Sequence, residues 1–172
     1  MNLFCIFTVK IIIMFLKSLD IIRIAIVSAA FFFGYQIGFA DGYNPIAQLH
    51  FMIPTIIIGM AGISGLEGLF FAKQSAELKG FAINSNYQRQ NAIALLSYAV
   101  VAVLIYFLDW GIKSELTIFF TFIFFFIFSA VNHGVDAIRN KNYKWQNINR
   151  PFLTLSLVAG MIYPVVMAIK SL

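Results

Sequence analysis

The stretch "FMIPTIIIGMAGISGLEGLFFA", residues 51–72, decides the class of fold, because twenty-two residues carry a single charge, Glu67. As a helix rising 1.5 Å per residue it is about 33 Å long, which matches the roughly 30 Å hydrocarbon core of a bilayer. Four further blocks have the same character: Arg23 to Phe39, Gln90 to Leu108, Leu116 to Asn132 and Phe152 to Ile169. Runs of this length without a period of two predict helices and not a β-barrel, since unpaired backbone cannot face lipid. The expected fold is therefore all-α: an integral membrane helical bundle with five transmembrane helices, in which residues 21–172 form one transmembrane domain.

Composition agrees with the blocks. The chain has 172 residues, of which 61% are hydrophobic and only 11% charged, against the roughly 25% charged residues of an average soluble domain. A net charge of +5 raises the question of nucleic acid. The basic residues, however, sit in short connectors between apolar blocks instead of lining one amphipathic face, so no nucleic-acid partner is expected and the bilayer is. The single Cys5 has no partner for an internal disulfide and is expected to be inert. Residues 1–20 are read as an N-terminal lead-in, either interfacial or preceding the true start at Met14. Insertion of residues 1–16 would make a sixth span and would centre Lys10 in lipid, which is costly.

The same connectors set the orientation. Lys10, Lys17 and Arg23 precede the first span, Lys73, Lys79 and Arg89 separate the second from the third, and Arg139, Lys141, Lys144 and Arg150 separate the fourth from the fifth. Only Lys113 and Lys170 belong to the other side, so ten basic residues stand against two. By the positive-inside rule the N-terminus is expected in the cytoplasm and the C-terminus outside. "ADGYNP", residues 40–45, is a turn, and "NSN", residues 84–86, supplies N-cap side chains to the third span.

Several features within the blocks bear on function. Gly59, Gly62, Gly65 and Gly68 recur at spacing three and let helix backbones approach closely, which makes the second span central; a homodimer seam or a flexible gate is the other use of such a stripe. Glu67 lies among them near the basic end. A carboxylate there needs a partner: a loop base or an amide if it is structural, a ligand or a proton if it is functional. In the third block Gln88, Asn91 and Tyr98 share a helical face. In the fourth, Ser129, Asn132, His133 and Asp136 fall within an arc of about 100°. Asp136 three residues after His133 would fix the imidazole tautomer, as in general-base and relay sites, whereas a plain polar helix end would present the same residues to water. Glu67, Gln88, Asn91, Asn132, His133 and Asp136 thus form a candidate polar cluster.

Metal and cofactor chemistry find little to use. His50 and His133 lie at opposite ends of their spans and cannot share a haem iron, and His133, Asp136 and Glu67 match no ligand-spacing signature. Trp145 is expected as an interfacial anchor, Pro151 as the first residue of the last helix, and Tyr163–Pro164 as a kink. No nucleotide-loop, serine-hydrolase, zinc-protease or dinucleotide motif occurs.

"FFAKQSAELKGF" at residues 70–81 and "NYQRQNAIALLSYAVVAVL" at residues 86–104 resemble an uncharacterised family of small multi-pass prokaryotic membrane proteins, similar to DoxX-like bundles. The resemblance implies the helical-bundle fold and no established activity. It also places an acid where this chain has Gln90, so no acid–base role carries over. The expectation is a non-enzymatic protein of the prokaryotic cytoplasmic membrane without a cofactor or metal, acting as an accessory subunit or homo-oligomer. A small proton-coupled transporter using Glu67 and His133, and a DoxX-like redox protein holding a quinone or flavin, are the alternatives.

Overall fold

The computed structural model describes residues 3–81, 83 and 85–172, with only the backbone described for residues 3–9 and Ser85. The side chain of Cys5 and the cap expected from Asn84 therefore lie outside the described residues. Among the described residues there are seven α-helices and no strand: α1 (Leu3–Gly38), α2 (Pro45–Ile57), α3 (Ile63–Phe70), α4 (Ala72–Lys79), α5 (Ser85–Phe107), α6 (Ile112–Arg139) and α7 (Trp145–Lys170). A π-helical turn, Ile58–Gly62, joins α2 to α3, so that Pro45–Phe70 runs as one rod. That rod, α5 from Asn86, α6 and α7 are four helices long and apolar enough to cross a membrane.

The helices overrun the apolar blocks. α6 continues seven residues past Asn132 to Arg139, and α7 starts at Trp145, so Pro151 stands inside the last helix and not at its first position. The physical reason is that apolar length measures what lipid requires, while a helix stops only where its backbone is capped or turned. α1 is 36 residues long and passes through residue 20 without a break. Asn44 opens α2 in the way its residue type suggests: its Oδ1 accepts from Ala47 N at 3.0 Å, with Pro45 in the first turn.

The α2–α3 rod is the centre of the bundle, touching α1, α5, α6 and α7. Its glycines make this possible. A Cβ on Gly65 would lie 2.9 Å from the backbone oxygen of Ala92, and one on Gly68 would lie 2.8 Å from the Ala92 Cβ, so α3 and α5 are in near-backbone contact. A Cβ on Gly59 would lie 2.5 Å from Cγ2 of Ile26, so the missing side chain makes room for an α1 side chain. All these glycine contacts are made within the chain. Away from the interior, Phe32, Phe33, Phe70, Phe107 and Phe152 are half or more exposed. So much exposed aromatic surface is foreign to a water-soluble monomer and suits a lipid surround.

Candidate functional site

Glu67 is 3% exposed and comes from the last turns of α3. Phe71 then leaves helical geometry, with φ −129° and ψ 28°, and the chain restarts as α4. This break folds α4 back beneath Glu67. Lys79 Nζ reaches Glu67 Oε1 at 2.6 Å, and Ser75 Oγ donates to the same oxygen. Arg23, arriving on α1 from 44 residues away, donates from Nη2 to Glu67 Oε2 and from Nη1 to Asp20 Oδ1. Both oxygens of Glu67 are thus taken by charge-assisted bonds, which is how a carboxylate survives burial. Burial is the largest influence on Lys79 and lowers its pKa below the ordinary lysine value, against the opposing pull of Glu67, with the charges of Arg150 and Arg23 adding to the lowering.

His133 is buried on α6. Its Nδ1 is 2.9 Å from Asn147 Oδ1, and its Nε2 is 2.6 Å from Arg150 Nη1. A guanidinium offers no acceptor, so Nε2 must be unprotonated and Nδ1 must carry the hydrogen that it donates to Asn147. The imidazole is therefore neutral. Its tautomer is set by Asn147 and Arg150, which corrects the expectation that Asp136 would do so. Asp136 instead accepts from Asn140 Nδ2 at 2.6 Å and Asn142 Nδ2 at 2.9 Å. Asn142 also donates to the carbonyls of Lys79 and Gly80 at 3.1 Å, fastening the end of α4 to the α6–α7 connector. The metal set of His133, Asp136 and Glu67 is not assembled, since each of the three is engaged by other partners.

Glu67, Gln88, Asn91, Asn132 and His133 all line one chamber of about 1350 Å³, and Asp136 does not. Tyr98 and Ser129 line it as well. Its polar end holds Asp20, Arg23, Lys79 and Arg150. Its far end is closed by α1 against α7, where Tyr35 Oη donates to Gly160 O at 2.9 Å and Phe31 lies against Gly160. Between the ends the wall is aromatic, with Tyr98 contacting Phe122 and Phe125 at centroid distances of 6.3 and 5.8 Å. Sequence reasoning missed Arg23, Lys79 and Arg150 as site residues by assigning them wholly to orientation. The available signal was the demand of Glu67 for a cationic partner.

At the opposite end of the bundle, His50 Nδ1 lies 2.5 Å from Glu115 Oε1 and the ring stacks on Tyr106 at 4.7 Å. Glu115 is 2% exposed and its Oε2 is buried without a hydrogen-bond partner. A hollow of about 310 Å³ opens beside the pair, also lined by Asn44 and Asp109. Glu115 sits in the first turn of α6, where a carboxylate favours the positive helix end.

The chain belongs to a family of unknown function, DUF6790, which matches residues 24–171. The match covers every helix from α2 to α7 and the part of α1 that carries Phe31 and Tyr35. It begins one residue after Arg23. No curated protein and no solved structure matches the chain.

Proposed function

We propose that this is a non-enzymatic, multi-pass protein of the prokaryotic cytoplasmic membrane whose role is to bind a small molecule in the chamber. In this reading α1 supplies the fifth span, the N-terminus is cytoplasmic, and the polar end of the chamber faces the cytoplasm. The supporting observation is the convergence of five dispersed polar residues, Glu67, Gln88, Asn91, Asn132 and His133, on one cavity inside an otherwise apolar bundle. Polar groups at membrane depth are costly, and a shared cavity gives them a common use. Proton-coupled transport through Glu67 and His133 is the weaker reading, because Glu67 is saturated by donors and His133 Nε2 is occupied by Arg150.

The test is purification in mild detergent followed by mass spectrometry of the intact protein, which reads both bound small molecules and oligomeric state. A molecule retained in stoichiometric amount by the wild type, and lost from Ser156→Trp, which places an indole in the chamber, is the expected result. Ser156→Trp must elute as the same species as wild type. A wild-type protein that carries no small molecule out of its native membrane would sink the proposal.

A further inference from the structure

Resting on the chamber as a binding site, we infer that its occupant is a monoanionic amphiphile, with its negative charge at Arg150 and its alkyl tail along the aromatic wall of Tyr98, Phe124 and Phe128.

The charge follows from counting the polar end. Arg23, Lys79 and Arg150 contribute three positive charges, Asp20 and Glu67 two negative ones, and neutral His133 none, which leaves one positive charge uncompensated. At this end of the bundle the ion pairs among the described residues use Glu67 for Arg23 and Lys79 and use Asp20 for Arg23. Arg150 is left with a neutral imidazole as its hydrogen-bond acceptor, although it lies within electrostatic reach of Arg23, Glu67 and Asp20. An unpaired charge at one end of a cavity asks for an anion. A single negative charge neutralises the site, and a dianion overshoots it.

The tail follows from shape. From Arg150 to Gly160 along α7 is ten residues, about 15 Å at helical rise, or half the hydrocarbon thickness of a bilayer. A molecule with its charge at Arg150 and its tail reaching Gly160 has the depth of one leaflet. The cavity, at about 1350 Å³, is larger than the roughly 300–1,000 Å³ of common small-molecule pockets. A free inorganic anion would leave the aromatic wall unfilled. Phe124 and Phe128 line the cavity and offer such a tail an apolar surface.

Binding of radiolabelled myristate, phosphatidylglycerol and tetradecanol to the full chain in maltoside detergent tests the assignment, with acetate and inorganic phosphate as tailless competitors. Myristate or phosphatidylglycerol should bind roughly tenfold or more tightly than tetradecanol, the difference expected for a charge-assisted contact. Whichever of the two binds more tightly identifies a carboxylate or a phosphodiester as the source of the charge. Arg150→Gln should bring the anion down to the level of the alcohol and leave the alcohol unchanged, while Arg150→Lys keeps part of the preference. Equal binding of anion and alcohol, competition by acetate or phosphate as strong as by myristate, or full anion affinity in Arg150→Gln overturns the inference. The comparison of ligands on wild type holds even if a variant does not fold. Equal binding of anion and alcohol, both lost in Ser156→Trp, would reject the anionic head and keep the chamber; no binding of any tailed compound, with nothing co-purified, would reject both.

Discussion

At Glu67 the chain concentrates its largest local electrostatic commitment. The carboxylate is buried, with Arg23, Lys79 and Ser75 around it, and none of these partners is adjacent to it in sequence. That Glu67 needs a partner was legible from its type and depth. Which residue would serve was not, because Arg23 lies on another helix and Lys79 arrives only through the break at Phe71. Replacing Glu67 by Gln leaves two buried cations facing an amide, and removal of one member of a buried ion pair costs about 3–5 kcal/mol. Unfolding of detergent-solubilised protein by sodium dodecyl sulfate should show a loss of at least about 3 kcal/mol. Adding Lys79→Met to Glu67→Gln should cost less than the sum of the single changes, by about 0.5–3 kcal/mol of coupling, because it removes one of the stranded charges. A Glu67→Gln protein within about 0.5 kcal/mol of wild type, the range of ordinary surface substitutions, would mean that the cluster contributes nothing to stability.

The short helix α4 is the element that turns a set of apolar rods into a site. The long helices were legible as apolar blocks, and their existence required nothing beyond hydropathy and length. α4 was not legible: its eight residues, "AKQSAELK", carry no apolar run, and all but Ala72 fall in the connector between the second and third blocks. Its end is fixed by Gly80, whose φ of +73° is the left-handed conformation that closes a helix. Phe81 N then reaches back to Ala76 O at 2.9 Å, and the Phe81 ring meets His133 at 5.1 Å. A Cβ at Gly80 would stand 2.7 Å from Asn142 Oδ1, and Asn142 can yield only by disturbing its bonds to Lys79, Gly80 and Asp136. Gly80→Ala should therefore cost more than the roughly 1–2 kcal/mol of left-handed strain alone. Gly42 is the control, since its φ is +94° but nothing lies within 4 Å of its would-be Cβ. In thermal unfolding, Gly80→Ala should lose more stability than Gly42→Ala. Equal losses would show that the Asn142 clamp does not hold α4 in place.

For the molecule as a whole, the distribution of basic residues now divides into two uses. Of the ten on the side expected to be cytoplasmic, Arg23, Lys79 and Arg150 turn into the chamber. The other seven, Lys10, Lys17, Lys73, Arg89, Arg139, Lys141 and Lys144, are exposed, and on the opposite side so are Lys113 and Lys170. Seven against two still favours the same orientation, so membership of the chamber does not undo the positive-inside argument. The sequence could not separate the two uses, because both place Lys or Arg at the end of an apolar block; only the inward turn of the side chains distinguishes them. With Cys5 replaced by Ser, single cysteines at Asp41 and Lys141 probe the two sides independently of the chamber, since neither position lines it. In sealed right-side-out vesicles a membrane-impermeant maleimide should label the cysteine at 41 and should reach the one at 141 only after permeabilisation. The reverse pattern would invert the bundle, placing the charged end of the chamber outside and requiring its ligand to come from the outer leaflet.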